Sequence, residues 1–474
     1  MVWARAVTAA GERGRRATWC RRRLAVAAGV LAALAGMARA EPPAAPPGAE
    51  KVQHIVIVYL ENHSFDNLYG RFPGADGIDN AGTAAAQTDE DGRPYPHLPP
   101  VLNPLERPPR PDPRFPQDLP NGPFLIDASV PNDQRVPDPL HRFYQHQEQI
   151  HGGRNDRFVA ASNAGAMTMG VHDLRGTALY GYAERFTLLD RFFQAAFGGS
   201  LLNHLWLVCA CTPSYPDAPQ ELRAVLDGSG KLLRDGVYSP DGFVINNVFP
   251  QGGPYPQGIR DVKRLVPPQH LPTIGERLSA KGVSWAWYAG GWNASLAGGR
   301  PVSIVVPFLY FAPYGPGTPG RREHLRDEAD LVQAIASDRL PAVAFFKPAA
   351  KDDQHPGYTD LLTGDRHAGD LISSIEHSPA WAGTVIVVTY DEYGGYWDHV
   401  PPPPGDRWGP GTRIPAILIS PFARRGAVDH TVYDTTSILK MIESRFALEP
   451  LGTRDTQAND LLRALDFSGS AAAR

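Results

Sequence analysis

Cysteine is nearly absent: three occur in 474 residues, at Cys20, Cys209 and Cys211. That excludes a scaffold framed by several bridges. Cys209 and Cys211, in "LVCACTPSY", are so close in sequence that a bridge would strain the backbone. They are expected as small core residues, with a strained bridge as the alternative. Beyond the first 40 residues no uncharged apolar run reaches the length of about 18 that a membrane-spanning helix needs, so no stable membrane anchor is expected. An excess of one charge is missing too. Lys and Arg number 46 against 50 Asp and Glu, a formal net charge of −4, which argues against the basic footprint of a nucleic-acid binder. No internal repeat is present.

Glycine and proline, by contrast, are plentiful, with 47 of each. They favour turns and long excursions from a compact scaffold. Such excursions are expected near residues 71–137 and 211–270, within one domain running from 41 to 474. The first 40 residues read as a secretory signal: an Arg-rich front, an apolar stretch from Leu24 to Met37, and the ending Ala38-Arg39-Ala40. Arg15-Arg16 and Arg21-Arg22-Arg23 permit twin-arginine export, with Sec export as the alternative. A periplasmic or secreted mature chain is expected.

Along the remainder, apolar runs alternate with helical patterns. "KVQHIVIVYL", "VSWAWYAG", "PAVAFFKP", "TVIVVTYDE" and "RIPAILISPF" read as strands. "TIGERLSAKG", "HAGDLISSIEH" and "DTTSILKMIESRFAL" read as helices, with Gly282 as a stop and Asp434 as a cap. "GGSLLNHLWLVCA" predicts a glycine turn and a helix beginning beside Ser200. This alternation predicts an α/β fold with a mainly parallel central sheet and helices on both faces.

In such sheets ligands bind beyond the carboxyl ends of the strands. Glu61 and Asn62 follow the first strand, and Asp391 and Glu392 follow a late one. Two adjacent carboxylates at a buried strand end require a positive partner, and hard oxygen donors from separate strands suit one divalent metal ion of unspecified identity. Ser200, behind Gly198-Gly199 at a helix start, offers a hydroxyl where backbone N–H groups and the helix dipole favour an anion. A metal, a hydroxyl and an anion site together point to phosphoryl transfer. Each element alone has a plainer reading: "ENHSFDN" as a capping turn, "DEYGG" as a solvated turn, Ser200 as a helix cap.

The stretch "VIVYLENHSFDNLYG" resembles the "ENRSFDHxFG" opening motif of the bacterial acid phosphatase/phospholipase C phosphoesterase family, within the alkaline-phosphatase-like superfamily of metal-dependent hydrolases. "FGGSLLNHLWL" is similar to its nucleophile segment and "TYDEYGGYWDHVPPP" to its second metal-binding motif. These motifs span most of residues 51–445. The resemblance implies that Glu61, Asn62, Asp391 and Glu392 bind the metal. It also implies that Ser200 is the nucleophile and a further contact to the ion. His141 and His355 match positions that contact the phosphate or protonate the leaving group. Asn203 and His204 fall in the nucleophile motif, as substrate-binding and catalytic positions respectively. His399 in "WDHV" is read as a packed loop histidine.

Two features lean towards the acid phosphatase branch and a phosphomonoester substrate. Ser200 in "GGSLLNH" stands where the phospholipase branch has Thr in a "GPTxPNR" setting, and the chain stops soon after its last helix, without C-terminal β domains. One departure concerns a phosphate-contacting histidine that often precedes "PFxYF", where this chain has Ile304 and Val305. Phospholipase C activity on phosphatidylcholine-type diesters is the alternative. A non-catalytic periplasmic metal- or phosphate-binding protein would not need Ser200. A sulfatase would need Arg at position 215 in C-x-P-x-R, and that residue is Tyr215.

Overall fold

Eight apolar segments build the central sheet. Their order across it was obtained from a computed structural model, which describes residues 43–468. The signal sequence expected over 1–40 lies outside the described residues. The strands are β1 (His54–Leu60), β2 (Thr187–Leu189), β3 (Trp285–Ala289), β4 (Leu325–Asp327), β5 (Val343–Lys347), β6 (Thr384–Tyr390), β7 (Ala416–Ile419) and β8 (Ala427–Asp429). They lie in the order β4-β3-β5-β1-β6-β7-β2-β8. β1 is central and pairs in parallel with both β5 and β6, with Val58 opposite Phe346 and Val388. β7 alone runs against its neighbours β6 and β2.

Near-continuous Val/Ile runs fit strands covered on both faces. Every residue of β6, and all of β1 after His54, is buried. The covering helices include α1 (Phe143–Ile150), α2 (Ala178–Arg185), α3 (Ser200–Cys209), α4 (Ile274–Ala280), α5 (Leu361–Glu376) and α6 (Thr435–Phe446). Five of them pack as two groups, α2 with α5, and α3 with α4 and α6. Gly282 follows α4 at φ 69°, and the Asp434 side chain accepts from Thr436 N at the start of α6.

The structure joins Cys209 and Cys211 in a disulfide, correcting their reading as free core residues. α3 ends at Cys209, and Ala210 takes a left-handed conformation with φ 46°. That reversal brings the two Cα atoms to 5.0 Å, inside the range of about 4.4–6.8 Å that disulfides adopt.

The first excursion is more than an extended surface loop. Leu98, Val101, Phe115, Ile126 and Val130 form a second apolar cluster with Phe158, Met167, Tyr393, Tyr396 and Trp397. The excursion is thereby clamped to the loop that follows β6. The second excursion holds a short hairpin pairing Val225–Leu226 with Leu232–Arg234.

Candidate active site

The residues singled out in the sequence converge at the carboxyl ends of β1, β5 and β6 and at the start of α3. After Leu60 the chain turns at once through Glu61 and Asn62. Asn62 has a φ of 67°, a left-handed conformation that Asn tolerates because its short amide bonds locally. Its N–H donates to Asp391 Oδ1 at 3.1 Å, tying the ends of β1 and β6 together. Gly394 closes against this turn at φ 66°, and a Cβ there would meet Asn62 O at 2.0 Å. Only glycine permits that approach.

Asp391 Oδ1 also accepts from Glu392 N at 2.8 Å, and Glu392 Oε2 accepts from Gly394 N at 2.7 Å. The opposite oxygens stay unused. Asp391 Oδ2, Glu392 Oε1 and Asn62 Oδ1 are buried with no hydrogen-bond partner among the described residues, and Glu61 Oε1 meets only the Lys347 ammonium. Burial and the charge of Glu61 push the Asp391 carboxyl well above its ordinary range, and burial and Asp391 do the same to Glu392. Unsatisfied buried oxygens are expensive, whereas four oxygen donors from two adjacent turns fit a hard divalent cation. Ligand atoms of Glu61, His204 and Asp391 lie within 4.8 Å of one another. The residues present therefore fit the metal that the sequence pattern called for.

A positive charge already stands beside Glu61, and the sequence reading missed it. Lys347, the last residue of β5, is buried with its Nζ 3.2 Å from Glu61 Oε1 and 2.7 Å from Asp353 Oδ2. Burial would raise the Glu61 pKa, yet Lys347 and His355 bring it down to about 2. A lysine at the end of the apolar run "VAFFK", at the same sheet edge as Glu61, was the available signal.

Ser200 is the first residue of α3, and its Oγ donates to Glu61 Oε2 at 3.3 Å. The preceding glycines admit a neighbouring backbone. A Cβ on Gly198, whose φ is 84°, would lie 2.7 Å from Phe143 N, and one on Gly199 would lie 3.0 Å from His141 O. The glycine turn thus seats the His141 segment against the helix start. Asn203, expected to contact substrate, spends its side chain on that turn: Oδ1 accepts from Ala196 N, and Nδ2 donates to the carbonyls of Gly198 and Gly199.

His141 and His355 flank Asn62, whose Nδ2 is 3.2 Å from each Nε2. Their Nδ1 atoms lie 2.7 Å from the carbonyls of Pro139 and Pro356. A carbonyl only accepts, so Nδ1 carries the proton and each Nε2 faces the site. Burial lowers the His141 pKa. His204 is fully buried behind Ser200, with Nδ1 2.9 Å from Ser200 O and 3.7 Å from Asp391 Oδ2. Burial brings its pKa down to about 4. His399 packs outside this group, 2.6 Å from Asp66 Oδ2, beside the buried pairs of Arg413 with Asp66 and Asp398.

A cavity of about 460 Å³ opens onto Glu61, Ser200, Lys347, Asp353 and His355. Further walls come from the second excursion (Asn247, Phe249, Pro256), from residues 290–305, from 348–350 and from Tyr358. Ile304 and Val305, where a histidine was expected from the resemblance, line it as apolar wall.

A family model described as the Phosphoesterase family matches residues 52–449. The chain belongs to that family. It is 26% identical over 468 residues to phospholipase C A of Mycobacterium tuberculosis, covering 88% of this chain and 78% of that one. It is 24% identical over 457 residues to the non-hemolytic phospholipase C of Pseudomonas aeruginosa, covering 88% of this chain and 57% of the relative. Among solved structures, a Vibrio parahaemolyticus protein in the alkaline phosphatase superfamily matches at 10% identity, 70% coverage of this chain, 74% of that chain and a TM-score of 0.34. As a member of the phosphoesterase family, the chain is a hydrolase acting on phosphoric ester bonds.

Proposed function

We propose that the protein is an exported phosphomonoesterase of the acid phosphatase type, acting through a phosphoserine at Ser200. One observation carries this reading: unspent buried oxygens of Asn62, Asp391 and Glu392 gather with the Glu61 carboxylate near a hydroxyl at a helix start. These four residues hold one divalent ion, with Ser200 as a further contact. Bound there, such an ion supplies positive charge that lowers the pKa of the hydroxyl and offsets charge on the phosphoryl oxygens.

The chain's own groups do the rest. Ser200 Oγ attacks phosphorus, with its proton directed at Glu61 Oε2, while N–H groups at the start of α3 orient the phosphoryl oxygens. His355 or His141, protonated at Nε2, gives its proton to the departing alcohol. The same histidine then takes a proton from the water that hydrolyses the phosphoserine. His204 braces Ser200 through its carbonyl. The mature chain begins after Ala40, works outside the cytoplasm and needs neither nucleic acid nor a membrane anchor.

Phospholipase C activity is the second reading, favoured by the phospholipases C to which the chain is about 25% identical. A side-by-side panel of phosphomonoesters, phosphatidylcholine and sulfate esters on metal-analysed protein separates them. The proposal expects the highest kcat/KM on a phosphomonoester; a higher value on phosphatidylcholine establishes the second reading instead. Acid quenching with labelled substrate is expected to leave label on the peptide containing "GGSLLNH".

A further inference from the structure

Arg300 has no counterpart among the groups used so far. It lines the cavity that opens onto Ser200, and among the described residues it makes no hydrogen bond and no ion pair. Its guanidinium lies 5.4 Å from the ring centre of Tyr358. Tyr358 is itself an exposed aromatic, at 47%, and rests with its ring 4.3 Å from that of His355. The file His355–Tyr358–Arg300 therefore runs from the group assigned to the leaving-group proton out along the cavity wall.

The segment carrying Arg300 is fastened on both sides. Gly299 N donates to Ala294 O at 2.9 Å, Val302 N to Ser295 Oγ at 3.3 Å, and Ser303 Oγ to Pro254 O at 2.5 Å. Little backbone ordering remains to be done when a ligand arrives. The contact with Tyr358 takes up none of the guanidinium N–H donors, which remain available to a carboxylate or phosphate. The acids deeper in the cavity do not answer it, since Glu61 and Asp353 are paired with Lys347. Much of the remaining lining is apolar: Phe249, Pro256, Val302, Ile304 and Val305.

From this we infer that the enzyme selects compact phosphomonoesters whose alcohol carries a second anionic group, bound by Arg300 across the face of Tyr358. This rests on the phosphomonoesterase reading above. The phosphoryl group sits at Ser200, the middle of the alcohol lies against the apolar wall, and the second anion meets the guanidinium. The volume of about 460 Å³ suits a leaving group of that size.

The test is a matched pair, 4-carboxyphenyl phosphate against its neutral isostere 4-carbamoylphenyl phosphate, on metal-loaded enzyme. The carbamoyl group withdraws electrons more strongly, so intrinsic reactivity favours the neutral ester. Wild-type enzyme is expected to prefer the carboxylate in kcat/KM by roughly fivefold, the scale of a partly exposed charge-assisted contact. The gain should lie in KM rather than kcat. Arg300→Gln should bring the ratio to one or below, and Arg300→Lys should retain part of the preference. A wild-type ratio at or below one, or an unchanged ratio in Arg300→Gln, overturns the inference while leaving phosphomonoesterase activity in place. Wild-type enzyme that turns over neither ester but cleaves phosphatidylcholine overturns both readings.

Discussion

Ser200 carries the sharpest expectation at the level of single residues. Ser200→Ala should lower kcat by at least about a thousandfold, as loss of a nucleophile does. Its thermal midpoint should change little, since the helix start lacks a side-chain cap bond to lose. Near-wild-type turnover by this variant would end the phosphoserine mechanism. Lys347→Met makes a different prediction. It leaves the carboxylates of Glu61 and Asp353 buried without their cation, a loss of about 3–5 kcal/mol for a broken buried pair. Denaturant unfolding of the metal-free protein measures it. Glu61, Asn62, Asp391, Glu392 and Ser200 were legible as neighbours because each sits at a strand end or helix start that its local sequence announces. Lys347 was not, since a lysine closing an apolar strand reads equally as a solvated end. The commitment of Asn203 to the glycine turn was also hidden, because it depends on where three backbone carbonyls and amides point.

Secondary-structure elements were easier to read than their directions. The cap of Asp434 and the stop at Gly282 follow from local chemistry alone, and both stand in the structure. The reversal of β7 does not. It follows from a connection over 391–415 that contains no helix, and without a crossover helix the next strand returns antiparallel. The bridge between Cys209 and Cys211 escaped notice for a similar reason, since it hangs on the left-handed turn at Ala210. Within α6, Glu443 is fully buried against Asp455. Burial, with Asp455 beside it, pushes its pKa up from 4.5 to about 9. The folded state then keeps a proton that the unfolded chain releases, so stability should fall as pH rises from about 4.5 towards 9, by at most about 1.4 kcal/mol per pH unit. Glu443→Gln, which mimics the protonated acid, should flatten that decline. Thermal midpoints of both proteins across this pH range provide the check, and parallel curves would refute it.

For the whole molecule, the pairing of site and scaffold can be tested by removing the metal. Chelation followed by dialysis should abolish hydrolysis and lower the thermal midpoint. Free metal at a hundred times its dissociation constant should restore about 2.7 kcal/mol of stability. Full activity in demonstrably metal-free protein would refute metal dependence. The clamp between the first excursion and the loop after β6 makes a companion prediction. Trp397 is buried in that cluster and donates from its indole to Asn155 O at 3.0 Å. Trp397→Ala should cost about 3–5 kcal/mol, and the loosened 391–398 loop should bind metal more weakly. Titration of the metal into the folded variant reads the second effect. The existence of the excursions was legible from proline and glycine content, but their apolar cluster was not, because its members are scattered singly through weakly patterned sequence.

The bond from Asn62 N to Asp391 Oδ1 spans 329 residues, and that has a consequence for biogenesis. A ribosome must add more than three hundred residues after Asn62 before the second half of the ion's cradle exists. A nascent chain that stops short of Glu392 lacks the second turn, so on the proposed reading the ion is taken up only late in synthesis or after it. A cell that exports this polypeptide unfolded would have to supply the ion on the far side of the membrane, whereas one that exports it folded could load it beforehand.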